Sequence, residues 1–138
     1  MNAMDENSCA RCCEALVIAS YSLMDQGDYD GCADLFAHDA IWVRGGKAVS
    51  GRAAIREALG QRPVDQVSRH IVTNVLVRQQ GPVAATATAV FVPIRGVRRE
   101  SGTCEMPPIS GIGDLRYSFI LSGGRWMIQT LEPAMLFV

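Results

Sequence analysis

The sequence predicts an α+β fold, with three helices first and then antiparallel strands that curl around one helical face. Three observations carry this reading. Apolar residues recur at helical spacing in "SCARCCEALVIASYSLMDQ", at Cys9, Cys12, Cys13, Leu16, Val17, Leu23 and Met24. From Gln66 onward the period changes to two, as in "QVSRHIVTNVLVR" and "VAATATAVFVPIRG". Gly123-Gly124 then divides "DLRYSFILS" from "RWMIQTLEPAMLFV", the signature of a tight hairpin.

The first helix is expected from Ser8 to Gln26, capped by Asn7 or Ser8 and stopped by Gly27. A short second helix, "DYDGCADLFA", starts from Asp28 as its cap. "AIWVR" reads as a first strand and "GGK" as a turn. Ser50-Gly51 opens a third helix, "RAAIREALGQ", which buries Ala54, Ile55 and Leu59 and ends at Pro63. "QQGP" is a turn between the next two strands. The Gly- and Pro-rich "VRRESGTCEMPPISGIG" is a long loop or a frayed strand tip. The closing "PAMLFV" either completes the last strand or packs against a second subunit. With no repeat and no break in composition, residues 1–138 form a single domain. Strands this long, with alanines alternating, imply a strongly curved, cone-shaped sheet closed on one side by helices. Such a cone leaves a cavity with apolar walls and a few polar groups.

Composition narrows the function. A formal net charge of -1, with no basic run longer than "RGVRRE", gives no electrostatic footprint for nucleic acid or an anionic membrane. The opening "MNAMDENS" is acidic and polar where a secretory leader needs a basic start and an apolar core, so a soluble, cytoplasmic protein is expected. Five cysteines argue against a disulfide framework. "CARCC" holds one C-x-x-C without a second ligand pair, so Cys12 and Cys13 read as small apolar helix residues. "DYDG" lacks the further ligands of a calcium loop. Two histidines, far apart and without a third ligand, make a poor metal site, so no metal and no cofactor is expected.

His70 shares strand parity with Val72 and Asn74. Either it is a core histidine satisfied by a backbone carbonyl, or His70 and Asn74 face a pocket together. Asp25 in "DQGD" either bridges at a turn or joins that pocket. Trp42 and Arg44 also share a parity. They face the cavity, where Arg44 can hold a carboxylate or carbonyl, or Arg44 is solvated at the strand's end. Tyr117 is a core, interface or ligand-contacting aromatic.

Four segments in this order resemble the nuclear transport factor 2-like superfamily, in its SnoaL-like and scytalone dehydratase-like branch. They are "MDQGDYDGCADLFAHDAIW", "SGRAAIREAL", "SRHIVTNV" and "YSFILSGGRWMI". The resemblance implies a cystatin-like fold and a homodimer through the open face of the sheet. It also implies an acid/base pair, with Asp25 near the end of the first helix orienting His70 as the general acid or base. Tyr21, one turn back from Asp25, can supply a hydroxyl, and the residues themselves add Asn74, Trp42 and Tyr117 as substrate-binding candidates. Two features depart from the scytalone dehydratase pattern. Met24 stands where that family has a tyrosine, and "VRGGKAVSGRAAIREALG" lacks its second histidine. Ketosteroid isomerases are similar through "GDYDGCADLFAHDA", but Arg44 and Arg116 fall where they need carboxylates, which excludes that activity.

The expected function is cofactor-free dehydratase or isomerase chemistry on a small apolar or aromatic organic ligand. The alternatives are a non-catalytic ligand-binding protein, or an accessory subunit similar to the small subunits of ring-hydroxylating dioxygenases.

Overall fold

Helical periodicity at the amino end produces α1 (Ala3–Asp25). The structure, a computed structural model, describes residues 3–138, with side chains from residue 7 onward. Cys9, Cys13, Val17, Tyr21 and Met24 are buried along one stripe of α1. Burying Val17 and Met24 contributes roughly 1.5–3 kcal/mol each. The helix already runs through Asn7 and Ser8, so neither is its cap. Cys12 is exposed, and only Cys13 of that pair is a core residue.

The helix stops where glycine permits it. Gly27 takes φ 77°, its N–H donates to the Met24 carbonyl at 3.1 Å, and the Asp28 N–H donates to the Leu23 carbonyl at 3.0 Å. This paired closure is a Schellman motif, and it fixes the last turn of α1. The helix α2 (Tyr29–Ala33) comes next, with the Asp28 carboxylate accepting from the Gly31 N–H at 2.9 Å. It is shorter than expected, because Phe36 already belongs to β1 (Phe36–Arg44).

A four-residue strand, β2 (Lys47–Ser50), pairs back on β1 across Gly45-Gly46. The sequence did not announce it, since three of its residues are exposed and none alternates usefully. The helix α3 (Arg52–Gly60) then buries Ile55 and Leu59, while Ala54 is only half-buried. Four long strands complete the chain: β3 (Gln66–Gln79), β4 (Ala84–Val97), β5 (Ile112–Ser122) and β6 (Arg125–Phe137). The last of these takes up "PAMLF", so that segment completes a strand.

All six strands form one curved sheet in the order β2-β1-β6-β5-β4-β3. The β1–β6 pairing is parallel and the others are antiparallel. Strand β3 is therefore an edge. The stripe of α1 lies on the inner face, over the small Ala85, Ala87 and Ala89 of β4 and over Leu115, Tyr117 and Phe119 of β5. At Tyr21, Met24, Trp42 and Phe91 this packed core borders a cavity.

Strand β3 contains the main surprise. Thr73 pairs with Val90 and Leu76 with Thr88, so Asn74 and Val75 together oppose Ala89. This is a β-bulge, and Asn74 takes φ 56° within it. Asparagine is among the residues that tolerate this left-handed conformation best. The bulge reverses the alternation. Ser68, His70 and Val72 turn toward α1 before it, and Val75, Val77 and Gln79 do so after it. The expectation that Asn74 shares a face with His70 fails for that reason.

Candidate functional site

The closed end of α1 lies against the first residues of β3, which brings Asp25 to His70. His70 Nδ1 lies 2.7 Å from Asp25 Oδ1, and the His70 backbone N–H donates to Asp25 Oδ2 at 2.7 Å. The Ser68 hydroxyl donates to Oδ1 at 2.7 Å. Arg62 in turn donates to Ser68 Oγ at 2.7 Å and to the Met24 carbonyl at 3.2 Å. Donors thus run in one direction, from Arg62 to Ser68 to Asp25, and the carboxylate is left no role but acceptor. The His70 and Asp25 side chains are 2% and 7% exposed.

Burial alone would raise the Asp25 carboxyl. The hydrogen bonds from the His70 ring and Ser68, the His70 charge and the His70 N–H outweigh it and hold the group below the usual carboxylate range. An ionised Asp25 fixes the tautomer with the proton on Nδ1. The other ring nitrogen, Nε2, is then free to accept a proton. The ring is satisfied by the Asp25 carboxylate and not by a backbone carbonyl, and that partner leaves one nitrogen available.

His70 lines a cavity of about 820 Å³. Its ring stacks at 15° to Phe91 and lies 4.6 Å from the Tyr21 ring, centroid to centroid. Burial, with Cys32 and Asp25 adding to it against the opposing charges of Arg95 and Arg44, pushes the Tyr21 phenol well above its usual range. Tyr21 therefore keeps its proton, and among the described residues its hydroxyl has no hydrogen-bond partner. It is a donor directed at the same space. Trp42 also lines the cavity, as expected, and its buried indole N–H lacks an acceptor among the described residues. Met24, in the position of the missing tyrosine, adds apolar wall.

Two expected binding residues lie elsewhere. Asn74, turned out by the bulge, borders a separate recess of about 270 Å³ with Thr88, Val90, Asp114 and Arg116. Tyr117 is buried under α1, where its hydroxyl meets Ser20 Oγ at 2.8 Å. That bond ties helix to sheet and leaves Tyr117 a core residue.

Sequence reasoning missed Ser68, Arg62 and Arg95, and left Arg44 open. Ser68 was findable, since it shares His70's parity two residues earlier. Arg95 shares a parity with Phe91 and Pro93 on β4 and sits opposite Ser68. Arg44, Arg62 and Arg95 all line the cavity, and Arg44 lies over the Trp42 ring at 4.7 Å. Among the described residues no group of His, Cys, Asp and Glu side chains is arranged to hold a metal ion. No described helix is long and apolar enough to cross a membrane.

Helices laid in a curved, mostly antiparallel sheet, with a polar pair at the cavity wall, define a pocket-bearing α+β class. The chain belongs to the SnoaL-like domain family, whose model matches residues 10–132. Among solved structures it is similar to an NTF2-like protein with a cystatin-like fold from Novosphingobium aromaticivorans, at 24% identity and TM-score 0.75, covering 91% of this chain and 80% of that one. A candidate scytalone dehydratase from the same organism matches at 18% identity and TM-score 0.79, over 99% and 89% of the two chains. A hexachlorocyclohexane dehydrochlorinase matches at 12% identity and TM-score 0.82, over 99% and 90%. At these identities the likeness shows the fold alone. No curated protein matches the chain.

Proposed function

We propose that this protein is a lyase or isomerase that moves a proton on a small organic substrate with His70, without a cofactor. The observation that carries the reading is the 2.7 Å Asp25–His70 contact at the wall of an 820 Å³ cavity. Nε2 takes a proton from the carbon next to a carbonyl, and the electrons of that C–H bond form an enolate. If the neighbouring carbon carries a hydroxyl, the C–O bond breaks. The imidazolium then gives its proton to the departing oxygen, and water and an alkene result. Returning the proton to a different carbon gives an isomer instead. Asp25 orients the ring and stabilises the imidazolium, and Tyr21 donates to the enolate oxygen. Two of the named structural relatives, the dehydratase candidate and the dehydrochlorinase, carry names of elimination chemistry, which favours the lyase reading.

The test is a panel of β-hydroxy carbonyl compounds, followed by proton NMR in deuterated water for loss of water and for exchange of the acidic hydrogen. His70→Ala should lower turnover by about 10²–10⁴-fold while the thermal midpoint stays within a few degrees. Turnover or exchange unchanged in that variant would sink the proposal. A protein that binds members of the panel without converting any of them is the non-catalytic alternative. A homodimer is the proposed assembly. Exposed Ile71, Leu76, Leu136 and Phe137 favour one, and light scattering behind a sizing column reads the mass directly.

A further inference from the structure

The charge of the cavity wall runs against that of the chain. Three arginines, Arg44, Arg62 and Arg95, line it and no aspartate or glutamate does, in a protein whose formal net charge is -1. Arg62 is engaged by Ser68 and the Met24 carbonyl. The guanidinium of Arg44 has only the face of Trp42, and that of Arg95 has no hydrogen-bond or ion-pair partner among the described residues. Asp25, the nearby carboxylate, already accepts from three donors. Burial and the like charges of Arg62 and Arg95 lower the proton affinity of Arg44, so the cations stand close enough to repel. Arg44 and Arg95 are exposed at the mouth of the cavity and Arg62 is half-buried, and they reach it from β1, β4 and the turn after α3. Tyr21, Phe91, Pro93 and Met135 give the wall an aromatic and apolar part, beside the neutral polar Gln61, Gln66 and Ser110.

We infer that the cavity takes an organic acid, its carboxylate held between Arg44 and Arg95 and its apolar or aromatic body laid toward Tyr21, Phe91 and His70. Guanidinium groups match a carboxylate in shape and charge, and a single anion relieves the repulsion of both cations at once. The unpaired indole N–H of Trp42 lies in the same wall as a further donor. This gives the substrate's chemical class. It rests on the proposed acid/base reading for the chemical step, but not for binding itself.

Calorimetric titration of the full chain with benzoate, cinnamate, naphthoate and cyclohexanecarboxylate, each beside its neutral primary amide, tests the inference. At least one acid should bind about ten- to a hundredfold tighter than its amide, and added salt should narrow the gap. Arg44→Gln and Arg95→Gln should each reduce the preference about tenfold, while Arg44→Lys keeps part of it and melting curves show all three folded. Amides that bind as well as acids would overturn the inference. So would no acid binding at millimolar concentration, or a preference that survives the double glutamine variant. The His70→Ala variant separates the two proposals. Acid preference retained in a variant whose turnover is unchanged would leave the inference standing and remove the acid/base mechanism. Lost turnover in a protein indifferent to the carboxylate would do the reverse.

Discussion

Asp25 is held by three donors on one carboxylate, and its behaviour with pH follows from that. Its folded-state value is depressed relative to the unfolded chain. The stabilisation is therefore fully present above the ordinary carboxylate range and is lost as pH falls through the folded value. Thermal melts of wild type and Asp25→Asn should differ at neutral pH and converge in acid. A gap that persists in strong acid would mean that the carboxylate's charge is not what stabilises the site. Ser68→Ala removes one donor to Asp25 and leaves Arg62 with the Met24 carbonyl alone. The Asp25 carboxyl should then titrate higher by NMR, and turnover should fall about tenfold through a less firmly oriented imidazole. Tyr21→Phe keeps the ring beside His70 and removes the hydroxyl, so kcat should drop about a hundredfold with little change in stability. The dyad itself was legible only through family resemblance. Asp25 and His70 are 45 residues apart, and periodicity within an element says nothing about which elements meet.

At the scale of the element, the bulge in β3 determines what faces the cavity. Strict alternation places Asn74 beside His70, and one extra residue cancels it. The sequence carries only a faint sign of this, an asparagine inside an otherwise β-branched and apolar run. Asn74→Gly should be tolerated, because glycine enters the left-handed region freely. Asn74→Val should cost about 1–2 kcal/mol in chemical denaturation. Equal stability of the two variants would mean that the backbone there is not held at φ 56°. The helices were easier to read. Their stripes are set by burial, and Gly27 marked the stop of α1 through chemistry that any chain must obey. The start of α1 and the strand β2 were not readable. The latter is short, exposed and held by its partner.

For the molecule as a whole, the order of elements and the change of period from helical to alternating sufficed for the fold class. The presence of a cavity followed from the curvature that long strands with small inner residues adopt. Its charge did not follow, because Arg44, Arg62 and Arg95 come from three elements and each reads alone as a solvated side chain. The alanine row of β4 lets α1 approach the sheet closely. Ala87→Leu should therefore lower stability by about 1–3 kcal/mol in urea, and a neutral result would mean that the space under α1 is looser than it looks. One contact also has a consequence for solubility. Strand β3 is a sheet edge, and an edge offers unpaired amides to any passing strand. The His70 N–H is a donor on this strand, and it goes to Asp25 Oδ2 rather than to a neighbouring strand. By accepting that hydrogen, Asp25 shields the edge at this point. Losing it would expose a template for intermolecular pairing as well as disarm the site. Asp25→Ala should thus show faster exchange of the His70 amide and more aggregation on mild heating than His70→Ala, which keeps the backbone bond.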